Sequence, residues 1–198
     1  MEGKTAGRLA EKPEILFVTG NGHKFREAES ILKHFGVNIS HKNLHLEEMR
    51  SDSVEEIARA SALDAYAKAG VPLFVEDSGL FIPSLGGFPG AYSAWAFGKI
   101  GNAGILKLAA GSVAEFRAAI AYADENGAKT FTGIVKGRIS DEIRGNEGFG
   151  YDPIFIPDKF AGVRHSGEKT FAEVPEMKAA LSHRKRALEE FGKYIKQR

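Results

Sequence analysis

The sequence predicts an α/β fold, and three observations carry that prediction. An apolar run rich in strand formers, Ile15-Leu16-Phe17-Val18, passes through a glycine-bearing turn into a segment with helical apolar spacing at Phe25, Ala28, Ile31, Leu32 and Phe35. A second apolar run, Leu73-Phe74-Val75, follows a helix-patterned segment and delivers Glu76 and Asp77 at its C-terminal end. Residues 116–123 and 130–137 alternate small residues with aromatic and β-branched ones and read as a hairpin joined through Asp124-Glu125-Asn126-Gly127.

The remaining elements follow from local chemistry. Gly36 is placed to end the first helix as a C′ residue. Residues 37–46 read as extended, with Val37 and Ile39, then Leu44 and Leu46, two apart. Ser53-Val54-Glu55-Glu56 matches a capping box and opens a helix ending at Gly70. Its spacing turns Ile57, Ala60, Leu63 and Ala67 toward the core. The glycine- and proline-rich stretch 80–92 predicts a long loop, functional or mobile, and 101–110 a short helix stopped by Gly111. The hairpin is read as the heart of a second lobe. Tyr151-Asp152-Pro153-Ile154-Phe155-Ile156-Pro157, an apolar run between prolines, suits an edge or lobe-crossing strand. The last helix starts at Ser182 as N-cap and carries Ala187, Leu188, Phe191 and Ile195 on its apolar face.

Size and composition fit one domain. The chain has 198 residues, 43% apolar and 27% charged, with a net charge of +1, so it can bury a substantial core and carries no global nucleic-acid footprint. Without cysteine there is neither a disulfide framework nor a thiolate ligand or nucleophile. A metal would need oxygen or nitrogen donors, and carboxylates favour a hard ion such as Mg²⁺. No apolar run approaches a membrane span, and residues 1–13 lack a signal peptide's apolar region. The expected organisation is a flexible extension over 1–13, a single domain over 14–198, and a cytoplasmic location.

Three stretches carry chemistry. The turn Thr19-Gly20-Asn21-Gly22-His23-Lys24 joins a strand to a helix N-terminus, where backbone N–H groups and the helix dipole favour an anion and Lys24 adds charge. It matches neither a Walker A loop nor a dinucleotide fingerprint, and read alone it is either a phosphate cradle or an ordinary tight turn. Glu76 and Asp77 are either an acidic site or a solvated turn. His183-Arg184-Lys185-Arg186 puts positive charge at the positive end of a helix dipole, a conflict that an anionic ligand would relieve.

In order, the chain carries Thr19-Gly20-Asn21-x-x-Lys24-x-x-Glu27, Glu76-Asp77-Ser78-Gly79-Leu80, Gly86-Gly87-x-Pro89-Gly90-x-Tyr92-Ser93, Phe149-Gly150-Tyr151-Asp152-Pro153, Thr170-Phe171-Ala172-Glu173 and Lys178-x4-His183-Arg184. This set resembles the inosine/xanthosine triphosphate pyrophosphatase family, the Ham1-like nucleotidases, over residues 15–191. The resemblance implies an elongated two-lobed α/β structure around a central mixed sheet with the cleft between the lobes. It implies Mg²⁺-dependent hydrolysis of ITP, dITP and XTP to the monophosphate and pyrophosphate, by a homodimer with no nucleic-acid or membrane partner. Carried over residue by residue, Thr19, Gly20, Asn21, Gly22, His23 and Lys24 form the phosphate loop, with Asn21 and Lys24 in direct contact. Glu48 and Asp77 bind metal, with Glu76 as a further candidate, and Asp77 is the general base. Ser78, Phe149, Gly150, Tyr151, Asp152, Lys178, His183 and Arg184 complete the substrate site, Phe149 stacking on the purine.

Two positions depart from the pattern: Ser61 stands where many relatives have lysine, so that the chain would do without it or use Lys68 differently, and Trp95 where bacterial relatives have arginine. Trp95 is expected at a lobe or dimer interface. Glu27 is expected to pair along its own helix with His23 or Lys24, and His34, His41, His45 and His165 to lie on the surface. A related nucleotide pyrophosphatase of the Maf type and a catalytically silent nucleotide-binding module are the competing readings. The Ser182-His183-Arg184 motif opposes the first and the acidic residues oppose the second.

Overall fold

The computed structural model describes residues 14–47 and 49–198; the expected extension at 1–13 and the expected metal ligand Glu48 lie outside the described residues. In order come β1 (Glu14–Val18), α1 (Gly22–Lys33), β2 (Asn38–Lys42), α2 (Val54–Ala69), β3 (Leu73–Phe81), β4 (Pro89–Gly90), α3 (Ser93–Ala109), β5 (Val113–Asp124), β6 (Gly127–Ile139), β7 (Phe155–Pro157), α4 (Pro175–Leu181) and α5 (His183–Lys196). The class is the α/β fold expected, built on one mixed sheet in the order β2-β1-β3-β5-β6-β7, with β4 paired to β3 off that path. β1 runs parallel to β2 and β3, and the rest of the sheet is antiparallel. β7 takes the edge, where Pro157 as its last residue is tolerated, while Asp152–Ile154 of the expected strand form a 3-10 turn instead. Among the described residues no helix is long and apolar enough to cross a membrane.

The hairpin does not make a lobe of its own. β5 pairs with β3 from Leu73↔Ala123 to Phe81↔Glu115 and with β6 along its whole length, so it is the spine of the single sheet. Apolar clusters gather at the two ends of these long strands. At one end α1 and α5 cover one face, with Phe17, Phe74, Leu32 and Phe191, while α2 covers the other. At the other end α3 and α4 pack Ile105, Met177 and Leu181 on Leu80, Phe116, Val135 and Phe155. Between the ends β3 carries Glu76-Asp77-Ser78-Gly79, and its β5 partners there include Ala118 and Ala119. This waist of polar and small residues is where a site can open.

Several elements differ from the sequence reading. α2 buries Val54, Ala58, Ala62 and Ala65 rather than the expected face, and Leu63 is 42% exposed. The reason lies across the interface: β5 offers Ala119, Ala121 and Ala123 there, and small side chains on both elements permit the close packing that leucine would block. The capping box is half formed. Ser53 Oγ accepts from the Glu56 amide at 3.3 Å, but Glu56 accepts from Ser51 Oγ at 2.7 Å, and Ser51 Oγ accepts from the Ser53 amide at 3.0 Å.

α3 begins at Ser93, well before the expected start, as two helical pieces meeting at Gly101 (φ 58°, ψ −165°). α4 was not anticipated; Pro175 opens it. β3 continues through the two carboxylates instead of ending before them.

Candidate active site

The parallel pairing of β1 and β3 sets up the site. Leu16 lies opposite Leu73 and Phe17 opposite Phe74, and β1 ends at Val18 while β3 runs on to Phe81. The turn after β1 therefore falls beside Glu76 and its neighbours, so the carboxylates sit at the C-terminal end of a parallel strand after all, although that strand is β1. Asn21 caps α1, its side-chain oxygen accepting from the His23 and Lys24 amides at 2.9 and 3.2 Å. Those two donors are thus not free for an anion, contrary to the expectation for this turn. Thr19 Oγ1 accepts from the Asn21 amide. His41, on the surface as expected, bonds the Thr19 carbonyl through Nε2 at 2.6 Å and helps fix the loop.

Strand alternation separates Glu76 from Asp77. Glu76 falls with Phe74 on the α1/α5 face, and Asp77 falls with Leu73 and Val75 on the α2 face. Glu76 is in ion-pair contact with Lys24 at 2.6 Å and Arg184 at 3.1 Å. Burial alone would raise its pKa, but Arg184 and Lys24 outweigh it and hold the carboxyl down at about 2. Asp77 makes no such ion pair among the described residues. Burial pushes its pKa up to about 6 against the pull of Lys24, with the Glu76 charge adding to the rise. Its buried Oδ2 has no hydrogen-bond partner among the described residues.

Across the waist runs a chain of alternating charges. Asp152 pairs with Lys178 at 2.7 Å, Lys178 with Glu27 at 3.1 Å, and Glu27 with Arg184 at 2.6 Å. Arg184 pairs with Glu76, and Glu76 with Lys24. Three anions and three cations thus link the loop bearing Phe149 to the turn after β1. Glu27 is the link that sequence reasoning assigned elsewhere: it bonds α4 and α5 side chains rather than its own helix. Burial opposes its ionisation, but Arg184 and Lys178 together hold its pKa below the usual range.

Phe149 sits where these elements converge. Its amide donates to Asp152 Oδ2 at 2.8 Å. Lys178 Nζ lies 4.1 Å from its ring centroid, and the His23 ring is 5.3 Å away. A cavity of about 300 Å³ brings together Asn21, Lys24, Ser78, Phe149, Gly150, Tyr151, Asp152, Lys178, His183 and Arg184. Of the other expected residues, Thr19, Gly20, Gly22 and His23 belong to the adjoining turn, Glu76 lies beneath the cavity in the charge chain, and Asp77 is on the opposite face of β3. Among the described residues no group of three histidines or carboxylates could hold a metal. Trp95 is 63% exposed on α3 and packs between no lobes.

The sequence model of the Ham1 family matches residues 15–194. This chain belongs to the Ham1 family. Its relatives include a dITP/XTP pyrophosphatase from Methanopyrus kandleri, 47% identical over 92% of this chain and 96% of that protein. Another, from Saccharolobus solfataricus, is 45% identical over 92% of this chain and 93% of that protein. Among solved structures, a HAM1 protein from Coxiella burnetii superposes with a TM-score of 0.79 at 30% identity, covering 93% of this chain and 99% of the other.

In this Ham1-family chain the start of α5 explains the basic run at a helix N-terminus. Ser182 caps the helix through the Lys185 amide. Gly133 on β6 has no side chain, and a Cβ there would strike the His183 carbonyl, so the helix terminus can settle directly on the sheet. That approach buries Arg184 to 2% exposure and His183 to 4%. The conflict with the helix dipole is relieved from within by Glu27 and Glu76, which hold the Arg184 pKa above its ordinary value despite burial. His183 stacks on Phe116 with ring centroids 4.7 Å apart. Burial, and then Arg184, push its pKa well below the usual value, so the imidazole is neutral at pH 7. Arg184 Nε and His183 Nδ1 are buried without a partner among the described residues, and both residues line the cavity. The cavity is thus lined beside Phe149 by two residues that each keep one buried polar atom without a partner.

Proposed function

We propose that this protein is a Mg²⁺-dependent pyrophosphatase of non-standard purine nucleoside triphosphates, converting dITP, ITP and XTP to the monophosphate and pyrophosphate. The observation that carries the reading is the unmet pair Arg184 Nε and His183 Nδ1 beside Phe149, tied through the charge chain to Lys24. A purine stacked on Phe149 gains roughly 1–3 kcal/mol whatever its identity. Selection therefore falls to the polar groups. A donor such as Arg184 meets a 6-keto oxygen but is left unpaired by the amino group of adenine, at about 1–3 kcal/mol for each such loss. A neutral His183 can serve as donor or acceptor at the base edge.

The triphosphate extends toward Lys24 and the turn from Thr19 to His23. Asp77 fits a divalent cation, since it is a buried carboxylate with one oxygen unmet, and hard cations take carboxylate oxygens. Asp77 and Glu48 would hold Mg²⁺. Bound there, the ion supplies neutralisation of the triphosphate charge and acidification of water. Water oxygen bonds to the α-phosphorus while the bridging α–β bond breaks, and pyrophosphate leaves with the electron pair. Asp77 accepts the proton. Glu76, locked between Lys24 and Arg184, orients those cations.

The wider reading is a single domain over 14–198, with 1–13 as an extension, working on the cytoplasmic nucleotide pool. Tyr92, Trp95, Phe97 and Ile100 are exposed around the start of α3 and offer a surface for the second copy of a homodimer.

Incubation of the purified protein with Mg²⁺ and ITP, XTP, GTP or ATP tests the activity. Pyrophosphate and monophosphate are expected from ITP and XTP. Orthophosphate would overturn the cleavage position, and equal turnover of ATP would overturn base selection.

A further inference from the structure

α3, like α2, contributes no residue to the charge chain, yet it touches both ends of the site. Ser93 Oγ accepts from the Leu80 amide at 2.8 Å and donates to the Gly90 carbonyl at 2.7 Å. The helix start is thereby held to β3, three residues beyond Asp77. The Ser93 carbonyl accepts from the Tyr151 hydroxyl at 3.1 Å, and Phe97 packs edge-on against the Tyr151 ring, 5.2 Å between centroids. At Gly101 the helix breaks, and the next residue, Asn102, donates from Nδ2 to the Gly150 carbonyl at 3.1 Å. Gly150 is the residue after Phe149.

The loop that Asn102 grips is built on glycines. Gly145, Gly148 and Gly150 all have positive φ, at 80°, 78° and 62°, a backbone shape that glycine takes without strain. The Phe149 amide is held by Asp152 on one side. On the other side of the ring-bearing residue, Asn102 is the side chain that holds the Gly150 carbonyl. Asn102 Oδ1 is buried without a partner among the described residues. An asparagine kept with half its amide unmet, directly after a non-helical glycine, is poorly explained by packing alone.

We propose that Asn102 is a positioning residue for the Phe149 stacking platform. Its amide fixes the Gly150 peptide, and so sets the Phe149 ring against Asp152, His183 and Arg184. Tyr151 on Ser93 sets the distance between that platform and the carboxylates of β3. This proposal rests on the pyrophosphatase reading for its effect on catalysis, but not for its effect on the loop. Asn102 touches neither the reacting phosphate nor the cavity, so it acts on base binding and leaves the chemical step alone.

The test compares the unaltered protein with Asn102→Asp, which keeps the shape but turns an acceptor toward the Gly150 carbonyl, and with Asn102→Ala. KM and kcat are measured for dITP with Mg²⁺, thermal melting is recorded, and hydrogen exchange of the amides of residues 148–151 is followed without nucleotide. The expected result is a KM about tenfold higher for both variants, the equivalent of one lost hydrogen bond, with kcat within about twofold. Exchange over 148–151 should be faster while melting stays near that of the unaltered protein. Unchanged KM with unchanged exchange would overturn the proposal. So would a fall in kcat with a lowered melting point and faster exchange throughout the chain, since that is general destabilisation. If the unaltered protein does not turn over dITP, the pyrophosphatase reading fails, and exchange alone decides the role of Asn102: faster exchange confined to 148–151 supports it, and unchanged exchange overturns it.

Discussion

Glu76 and Asp77 are successive residues of one strand, both carboxylates and both largely buried, yet they occupy opposite electrostatic worlds. Glu76 falls on the face shared with α1 and α5, where Lys24 and Arg184 hold it ionised with a pKa of about 2. Asp77 falls on the α2 face with one oxygen unmet and a pKa of about 6. The first is charge held by ion pairs with Lys24 and Arg184, although its Oε2 accepts no hydrogen bond among the described residues. The second is unsatisfied, and an unmet buried carboxylate is the form expected of a group that awaits a cation or a proton. A one-residue step along a strand, which reverses the side-chain direction, thus divides support from chemistry.

The sharpest way to break this comparison is to neutralise each residue in turn. Asp77→Asn should lower kcat for dITP by about 10²–10⁴, the range for a lost general base, while nucleotide binding by calorimetry persists. Retained turnover would remove Asp77 as base. Glu76→Gln should act chiefly on folding. It leaves the buried Arg184 with Glu27 as its remaining anion, and breaking such a pair costs about 3–5 kcal/mol, to be read from denaturant unfolding. A variant as stable as the parent would show that the Glu76 ion pairs contribute nothing net.

The pH dependence of stability should run in opposite directions for the two. Asp77 has a raised folded pKa, so its contribution is full below the unfolded value of 3.8 and is lost as pH rises through about 6. Without divalent cations, Asp77→Asn should therefore match the parent near pH 4 and exceed it at pH 7 by on the order of 2 kcal/mol. Glu76 has a depressed folded pKa, so its contribution is present above the unfolded value of 4.5 and is lost as pH falls toward about 2. The Glu76→Gln deficit should hold at pH 7 and shrink below pH 4. Matching pH profiles for both variants would erase the distinction between them. The smallest effect belongs to the base end. Phe149→Ala should raise KM by the loss of roughly 1–3 kcal/mol of stacking and leave kcat nearly unchanged; an unaltered KM would argue against stacking.

Much of the site was legible from linear motifs because its parts lie at element ends. The turn after β1, the Phe149 loop and the cap at Ser182 are each marked by glycine, proline or a capping hydroxyl, which act locally. Glu27 escaped because its partners, Lys178 and Arg184, are distant in sequence and no helical spacing predicts them. The core face of α2 escaped for a similar reason: alanine is a weak apolar signal, and the alanines of β5 that select it arrive from elsewhere in the chain. Asn102 sat inside what was read as a short helix, and nothing local distinguishes it.

The sequence by itself determined the class of fold, the strand-turn-helix entry to the site, the order of the motifs and the apolar face of α5, since periodicity and turn chemistry are properties of neighbouring residues. The tertiary structure decided what the charges do. Only the register of β1 on β3 places Lys24 against Glu76, only the bare backbone at Gly133 brings Arg184 down onto the sheet, and only the pleat of β3 separates Glu76 from Asp77. Ionisation depends on distance and burial in three dimensions, and neither is written in the spacing of residues along a chain.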